Sequence, residues 1–186
     1  MSNKICQPNT QHLFEIIGPI GKSLGHSSFG THIAFCSGTG ILPLIDFVAY
    51  VARKVLSVST QTSGKFEHKL QLNSTEISEG GPGFEPFRFI LYASFESESE
   101  AIGLQLCESL HKFCVERSIP TFRLITRFST GGRASFVVEN RQPRWDGDFV
   151  KAQINAIDSK EIQKVWVCGP PSMSEVFDKA FSEILA

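Results

Sequence analysis

The chain lacks any close pairing of cysteines. Cys6, Cys36, Cys107, Cys114 and Cys168 are five in number, widely spaced, and form no CxxC pair. That pattern excludes a disulfide framework and a zinc site, so no metal is expected. Free thiols suit a reducing compartment, the cytoplasm or another, with the periphery of a membrane also allowed. An excess of charge is missing too. Lys and Arg total 18 against 19 Asp and Glu, leaving a net charge of −1. No electrostatic case exists for nucleic acid as a partner. The opening MSNKICQPNT has no apolar core of the kind a secretory leader carries. Long apolar runs are scarce. The most apolar window, Ile33 to Ala52, is interrupted by Gly38, Gly40, Pro43 and Asp46. A strand, a turn and a helix explain it better than a transmembrane segment. There is no internal repeat.

What remains is a globular composition. Hydrophobic residues make up 41% and charged residues 20% of the 186 positions, which separates the chain from disordered sequences. The length fits one domain, or one domain with a large insert.

The order of elements is legible in the pattern. His32–Cys36 is a short apolar run entering the glycine turn Ser37-Gly-Thr-Gly40, which predicts a buried strand. Pro43 is expected to open a helix, where a missing N–H costs nothing. Apolar residues at helical spacing carry that helix to about Leu56. Residues 57–86 are rich in Ser, Thr, Gly and Glu and read as an inserted surface loop, with room for one hairpin near Lys65–Leu72. Phe87–Ala93 is the next strand. Ser97-Glu-Ser-Glu100 has the form of a capping box. Ile102, Leu106, Leu110, Phe113 and Cys114 then mark one helical face. Phe122–Thr126 and Ala134–Val138 are further strand candidates, joined by a turn-rich stretch. A short helix is expected from Asp148 to about Ile157, and the last strand at Lys164–Cys168. Ser172-Met-Ser-Glu175 reads as a second capping box, ahead of a final helix lined by Val176, Phe177, Ala180, Phe181, Ile184 and Leu185.

Alternating strands and helices predict an α/β fold: an open, mostly parallel sheet with helices on both faces. In such folds ligands bind beyond the carboxyl ends of the strands, where the strand order reverses. Two unusual turns fall at carboxyl ends, Ser37–Gly40 and Cys168–Pro171, and they point to one shared site. Bare glycines at Gly38 and Gly40 let backbone approach a ligand. The helix start behind them offers unpaired N–H groups to a phosphate. Taken alone, such a turn is more often plain structure than a phosphate site. Cys168 alone reads as a small buried hydrophobe, since no neighbouring base marks it as a nucleophile. None of the five histidines sits in a motif.

Gly18-Pro-Ile-Gly21, Cys36-Ser-Gly-Thr-Gly-Ile-Leu-Pro43, Phe89-Ile-Leu-Tyr92, Trp145-Asp-Gly147 and Val167-Cys-Gly-Pro-Pro-Ser-Met173 occur in an order that resembles the nucleotide-binding half of the ferredoxin–NADP reductase superfamily. The branch most similar is that of NADH–cytochrome b5 reductase and the ferric and nitrate reductase flavoproteins. The resemblance implies a Rossmann-like domain. It implies that Gly38, Thr39, Gly40 and Pro43 hold the cofactor pyrophosphate. It implies that Cys168, as the catalytic-site residue, lies by the nicotinamide with Gly169, Pro170, Pro171 and Met173. The cofactors would do the chemistry while the protein positions two rings. Thr126-Arg127 resembles the pair that holds a 2′-phosphate in NADPH-using members. Asn140, in the stretch Val138 to Gly147, belongs to a segment more similar to NADH-using members. The choice turns on whether the third strand is Phe122–Thr126 or Ser135–Val138, and NADH is favoured.

The flavin motifs of that superfamily are absent. Residues 1–30 resemble only the last strand of a flavin domain and its linker, and residues 31–186 the NAD(P)-binding domain with its inserted loop. FAD is therefore expected only on a partner polypeptide or a missing domain; the expected protein partner is that flavin-domain polypeptide or an electron-acceptor protein. The alternative is a non-catalytic NAD(H)-binding or structural subunit.

Overall fold

The computed structural model describes residues 24–61, 86–130 and 145–184. Four strands alternate with four α-helices: β1 (Thr31–Ser37), α1 (Leu42–Gln61), β2 (Arg88–Phe95), α2 (Leu104–Glu116), β3 (Phe122–Phe128), α3 (Gly147–Asn155), β4 (Ile162–Cys168) and α4 (Pro171–Ile184). All four strands are parallel, in the order β3-β2-β1-β4. The chain walks outward from β1 through β2 to β3, then returns to place β4 on the other side of β1. The strand order therefore reverses between β1 and β4.

Strand alternation divides the core into two layers. Ala34, Cys36, Phe89, Leu91, Ala93, Phe95, Phe122 and Leu124 face α1 and α2, which add Leu44, Val48, Val51, Leu104, Cys107 and Leu110. Ile33, Phe35, Tyr92 and Ile125 face α3 and α4, which add Phe149, Val150, Ile154, Phe177 and Ala180. Helices thus cover both faces, as the sequence predicts. Burial of such side chains contributes roughly 1.5–3 kcal/mol each against exposure.

Several boundaries differ from expectation. The turn Gly38–Ile41 is a 3-10 helix, and α1 begins at Leu42 instead of Pro43. α1 runs on to Gln61, so residues 57–61 of the expected loop are helical. Serine and threonine have modest helix propensity, and continuing an existing helix costs less than starting one. The rest of the expected insert, residues 62–85, lies outside the described residues, as do the hairpin near Lys65–Leu72, the strand at Ala134–Val138 and Leu185.

Neither capping box forms. Ser97 precedes a three-residue 3-10 turn, and its hydroxyl pairs with that of Ser99. The real start of α2 follows Gly103, which takes a left-handed φ of 73°. Ile102 and Leu106 are consequently 50% and 37% exposed, and the buried face is Leu104, Cys107, Leu110 and Cys114. At the other site Pro171 is already the first residue of α4, so Ser172 lies inside the helix. The carbonyl of Pro170 accepts from Met173 N (2.9 Å) instead. A proline fits this first position because its absent N–H would have had no partner. α3 starts one residue before expectation, capped by Asp146, whose carboxylate accepts from Phe149 N at 2.8 Å.

Candidate functional site

The two unusual turns meet where the strand order reverses. β1 and β4 are neighbours, and Cys36 is the register partner of Cys168. The residues that follow each strand therefore leave the sheet side by side. Gly40 is buried against the last residue of β4. A Cβ there would collide with the Cys168 carbonyl oxygen and lie 2.6 Å from its carbon. Gly169 is less constrained: a Cβ would lie 2.5 Å from the movable Met173 Sδ and 3.3 Å from Ser37 Cβ. At Gly40 the contact between the turns is backbone against backbone, and only glycine permits it.

Gly38 differs. Its φ is +55°, which glycine adopts without strain, and no atom lies within 4 Å of where a Cβ would stand. That open space is directly above the start of the 3-10 helix and α1. The first turn of neither helix holds an acidic residue, so the positive end of the helix is not neutralised there. Thr39, Leu42 and Pro43 are exposed at the rim, as are Gly169, Pro170 and Pro171 across from them. An open backbone cradle at an unneutralised helix start can accept an anionic group. Among the described residues no side-chain group of three or more His, Cys, Asp or Glu could hold a metal ion.

Cys168 is a half-buried free thiol at the strand end. Cys36, beside it, is fully buried, and its thiol donates to Tyr92 O at 3.4 Å. Desolvation, with Cys107 and Cys168 close by, pushes the Cys36 thiol far above its ordinary pKa. Burial pushes Cys107 up to about 12 and raises Cys114. These three thiols stay protonated at neutral pH and act as small core hydrophobes.

Thr126 and Arg127 lie within β3, the strand beside β2, so the third strand is Phe122–Phe128. Both are buried, Arg127 to 9% exposure, and its guanidinium donates to Ser94 Oγ at 3.2 Å. Arg127 is turned in under the sheet edge and is not brought to the surface with the two turns. Asn140 lies outside the described residues, as does most of the expected flavin-domain remnant. Of residues 24–30, Leu24 O accepts from Trp166 Nε1 at 3.2 Å, which ties this entry segment to β4.

The fold is similar to that of a b5R domain of known structure. The CS-b5R domains of human Ncb5or, in their NAD+ form, align over 84% of this chain with a TM-score of 0.54 at 12% identity. The cytochrome b5 reductase domain of Ulva prolifera nitrate reductase aligns over 85% (TM-score 0.49, 13% identity). A ferredoxin–NADP+ reductase from Plasmodium falciparum aligns over 82% (TM-score 0.48, 15% identity). The chain spans 45%, 34% and 48% of the nitrate reductase, Ncb5or and Plasmodium chains, respectively. No protein-family model matches the sequence, and no curated protein matches it significantly. The α/β architecture expected from the motifs is borne out. Among the described residues no helix is long and apolar enough to cross a membrane.

Proposed function

We propose that this chain binds NAD(P)H, with NADH preferred, and positions it for hydride transfer to an FAD held by another polypeptide or domain. One observation carries the proposal: the turns Ser37–Ile41 and Cys168–Pro171 touch at the strand-order reversal, where open α/β sheets bind nucleotides. Gly38, Thr39 and Gly40 with the start of α1 receive the diphosphate. Pro43 sets the first turn of that helix. Gly169, Pro170 and Pro171 form a rigid wall for the nicotinamide, with Met173 folded over Gly169. Cys168 packs at the ring and positions it, with no acid–base role. The nicotinamide supplies the hydride when bound. The neighbouring fold seen in its NAD+ form supports the same ligand class.

The third strand is Phe122–Phe128, the placement under which Thr126-Arg127 resembles the NADPH-type pair; the preference for NADH rests instead on the far end of the site. Arg127 is tied to Ser94 below the edge. Glu96, Glu98 and Glu100 follow β2 at the same edge and are exposed. Carboxylates repel a 2′-phosphate and accept from a 2′-hydroxyl.

Hydride transfer is measured by adding NADH and an FAD-loaded flavoprotein to the chain and following the nicotinamide absorbance. Chain-dependent oxidation of NADH supports the proposal. Binding of NADH with no oxidation by any flavin donor-site partner supports the non-catalytic NAD(H)-binding alternative instead.

A further inference from the structure

Residues 24–30 lead into β1 at the edge opposite the glycine turns, and a few contacts fasten them to the α1 face of the sheet. Trp166 of β4 donates from Nε1 to Leu24 O at 3.2 Å. The exposed His26 sits among Phe47 and Tyr50 of α1 and Phe87, with ring centroids 5.0, 5.3 and 6.4 Å away. The Ser27 amide donates to His32 Nε2 at 3.1 Å, and Ser27 Oγ donates to Phe29 O at 2.9 Å. His32, on β1, is 0% exposed. Its ring stacks on Trp166 at 5.7 Å and lies 4.9 Å from that of Phe87. Because Nε2 accepts, the proton of the neutral ring is on Nδ1.

We infer that residues 24–30 form a strap that neutral His32 latches to the sheet and that acid releases. A second proton must go on Nε2, which turns the acceptor of the Ser27 amide into a donor facing a donor. Ser27 Oγ, 3.2 Å from Nε2, can accept the new N–H, but the amide still loses its partner. The charged ring also lacks water while the strap covers that edge. Charges around it oppose the proton further: His26 from the strap and Lys164 from β4. β2 contributes Arg88, which pairs with Glu161 at 3.7 Å, and α1 contributes Tyr50, with Lys54 5.3 Å from its ring centroid. Desolvation, then His26 and Lys164, bring His32 from 6.5 down to about 4, with backbone hydrogen bonds at Gly30 and Arg88 partly offsetting them. Opening the strap hydrates the ring, so the open form takes a proton that the latched form refuses. The latch is at full strength above pH 6.5 and weakens as pH falls toward 4. Between pH 7 and pH 5 the ratio of open to latched chains rises about twentyfold. The device acts on how the chain before Leu24 is held, at the edge away from the glycine turns.

The test is amide hydrogen exchange of the full chain at pH 7 and pH 5, read at Ser27 and along β2 and corrected for intrinsic rates. The Ser27 amide is expected to be less protected than β2 at both values, because a strap opens without the sheet. Its protection is expected to fall about twentyfold from pH 7 to pH 5. In His32→Gln, which keeps an acceptor and does not titrate, it is expected to stay level. Wild-type protection at Ser27 that ignores pH would mean that opening does not hydrate His32, and would overturn the inference. So would an undiminished fall in His32→Gln. Equal protection at Ser27 and β2 would mean that only global unfolding frees the segment, and would overturn it too. If His32→Gln does not fold, His26→Gln decides. A fall that persists there supports His32 as the latch, and its disappearance assigns the response to His26 and overturns the inference.

Discussion

Gly38 and Gly40 are glycines for different reasons, and substitution separates them. Gly40 has the end of β4 against it. Gly40→Ala should force the two turns apart and lower stability by about 2 kcal/mol or more, as overpacking does. Denaturant unfolding measures it. Gly38 has a positive φ and open space. Gly38→Ala should cost only about 1 kcal/mol of backbone strain. His32 sets a pH limit at this same scale. It is fully buried, its Nε2 accepts from Ser27 N at 3.1 Å, and its ring stacks on Trp166. Desolvation, helped by His26, lowers its pKa from 6.5 to about 4. The unfolded chain therefore binds a proton that the folded chain refuses between those values. The contribution is fully present above pH 6.5 and is lost as pH falls toward 4, by on the order of 3 kcal/mol. Unfolding free energies at pH 7 and 4.5 should differ less in His32→Phe, which keeps the stacking, than in wild type.

At the scale of elements, the helix ends carry the testable chemistry. Asp146 caps α3 through Phe149 N, so Asp146→Ala should cost about 1 kcal/mol. Ser118 ends α2 at φ 55°, with its N–H bonded to Val115 O at 3.1 Å and that of Ile119 to Cys114 O at 2.8 Å. Ser118→Gly should therefore stabilise the chain by a few tenths to about 1 kcal/mol, read as a higher unfolding midpoint. Strands were legible because buried apolar runs such as His32–Cys36 have few other uses. Helix starts were not. S-x-x-E at Ser97 and Ser172 looked like a cap, but Gly103 and Pro171 decided where α2 and α4 begin. The cap that does form, Asp146, follows a tryptophan and carries no such signature. Ile102 and Leu106 fitted a helical period and are exposed because the true start at Leu104 turns the face toward Cys107 and Cys114.

For the whole molecule, the shared site was legible because two turns at carboxyl ends can meet only if their strands are neighbours, and the strand order makes β1 and β4 neighbours. The register that sets Ser94 beside Arg127 was not legible, since register between distant strands leaves no mark in one sequence. The topology also places the long segment between α1 and β2. α1 starts at the carboxyl edge and runs back 20 residues, about 30 Å, and β2 starts at the amino edge. Both described ends of that segment are thus at the edge opposite the glycine turns. The central claim is that a nicotinamide nucleotide sits over Gly38 at the β1–β4 reversal. Calorimetric titration of NADH into wild type and Gly38→Val tests it most directly. Binding by wild type, with affinity lost in a Gly38→Val chain that remains folded, is the predicted result. Equal NADH affinity in the two proteins would contradict it.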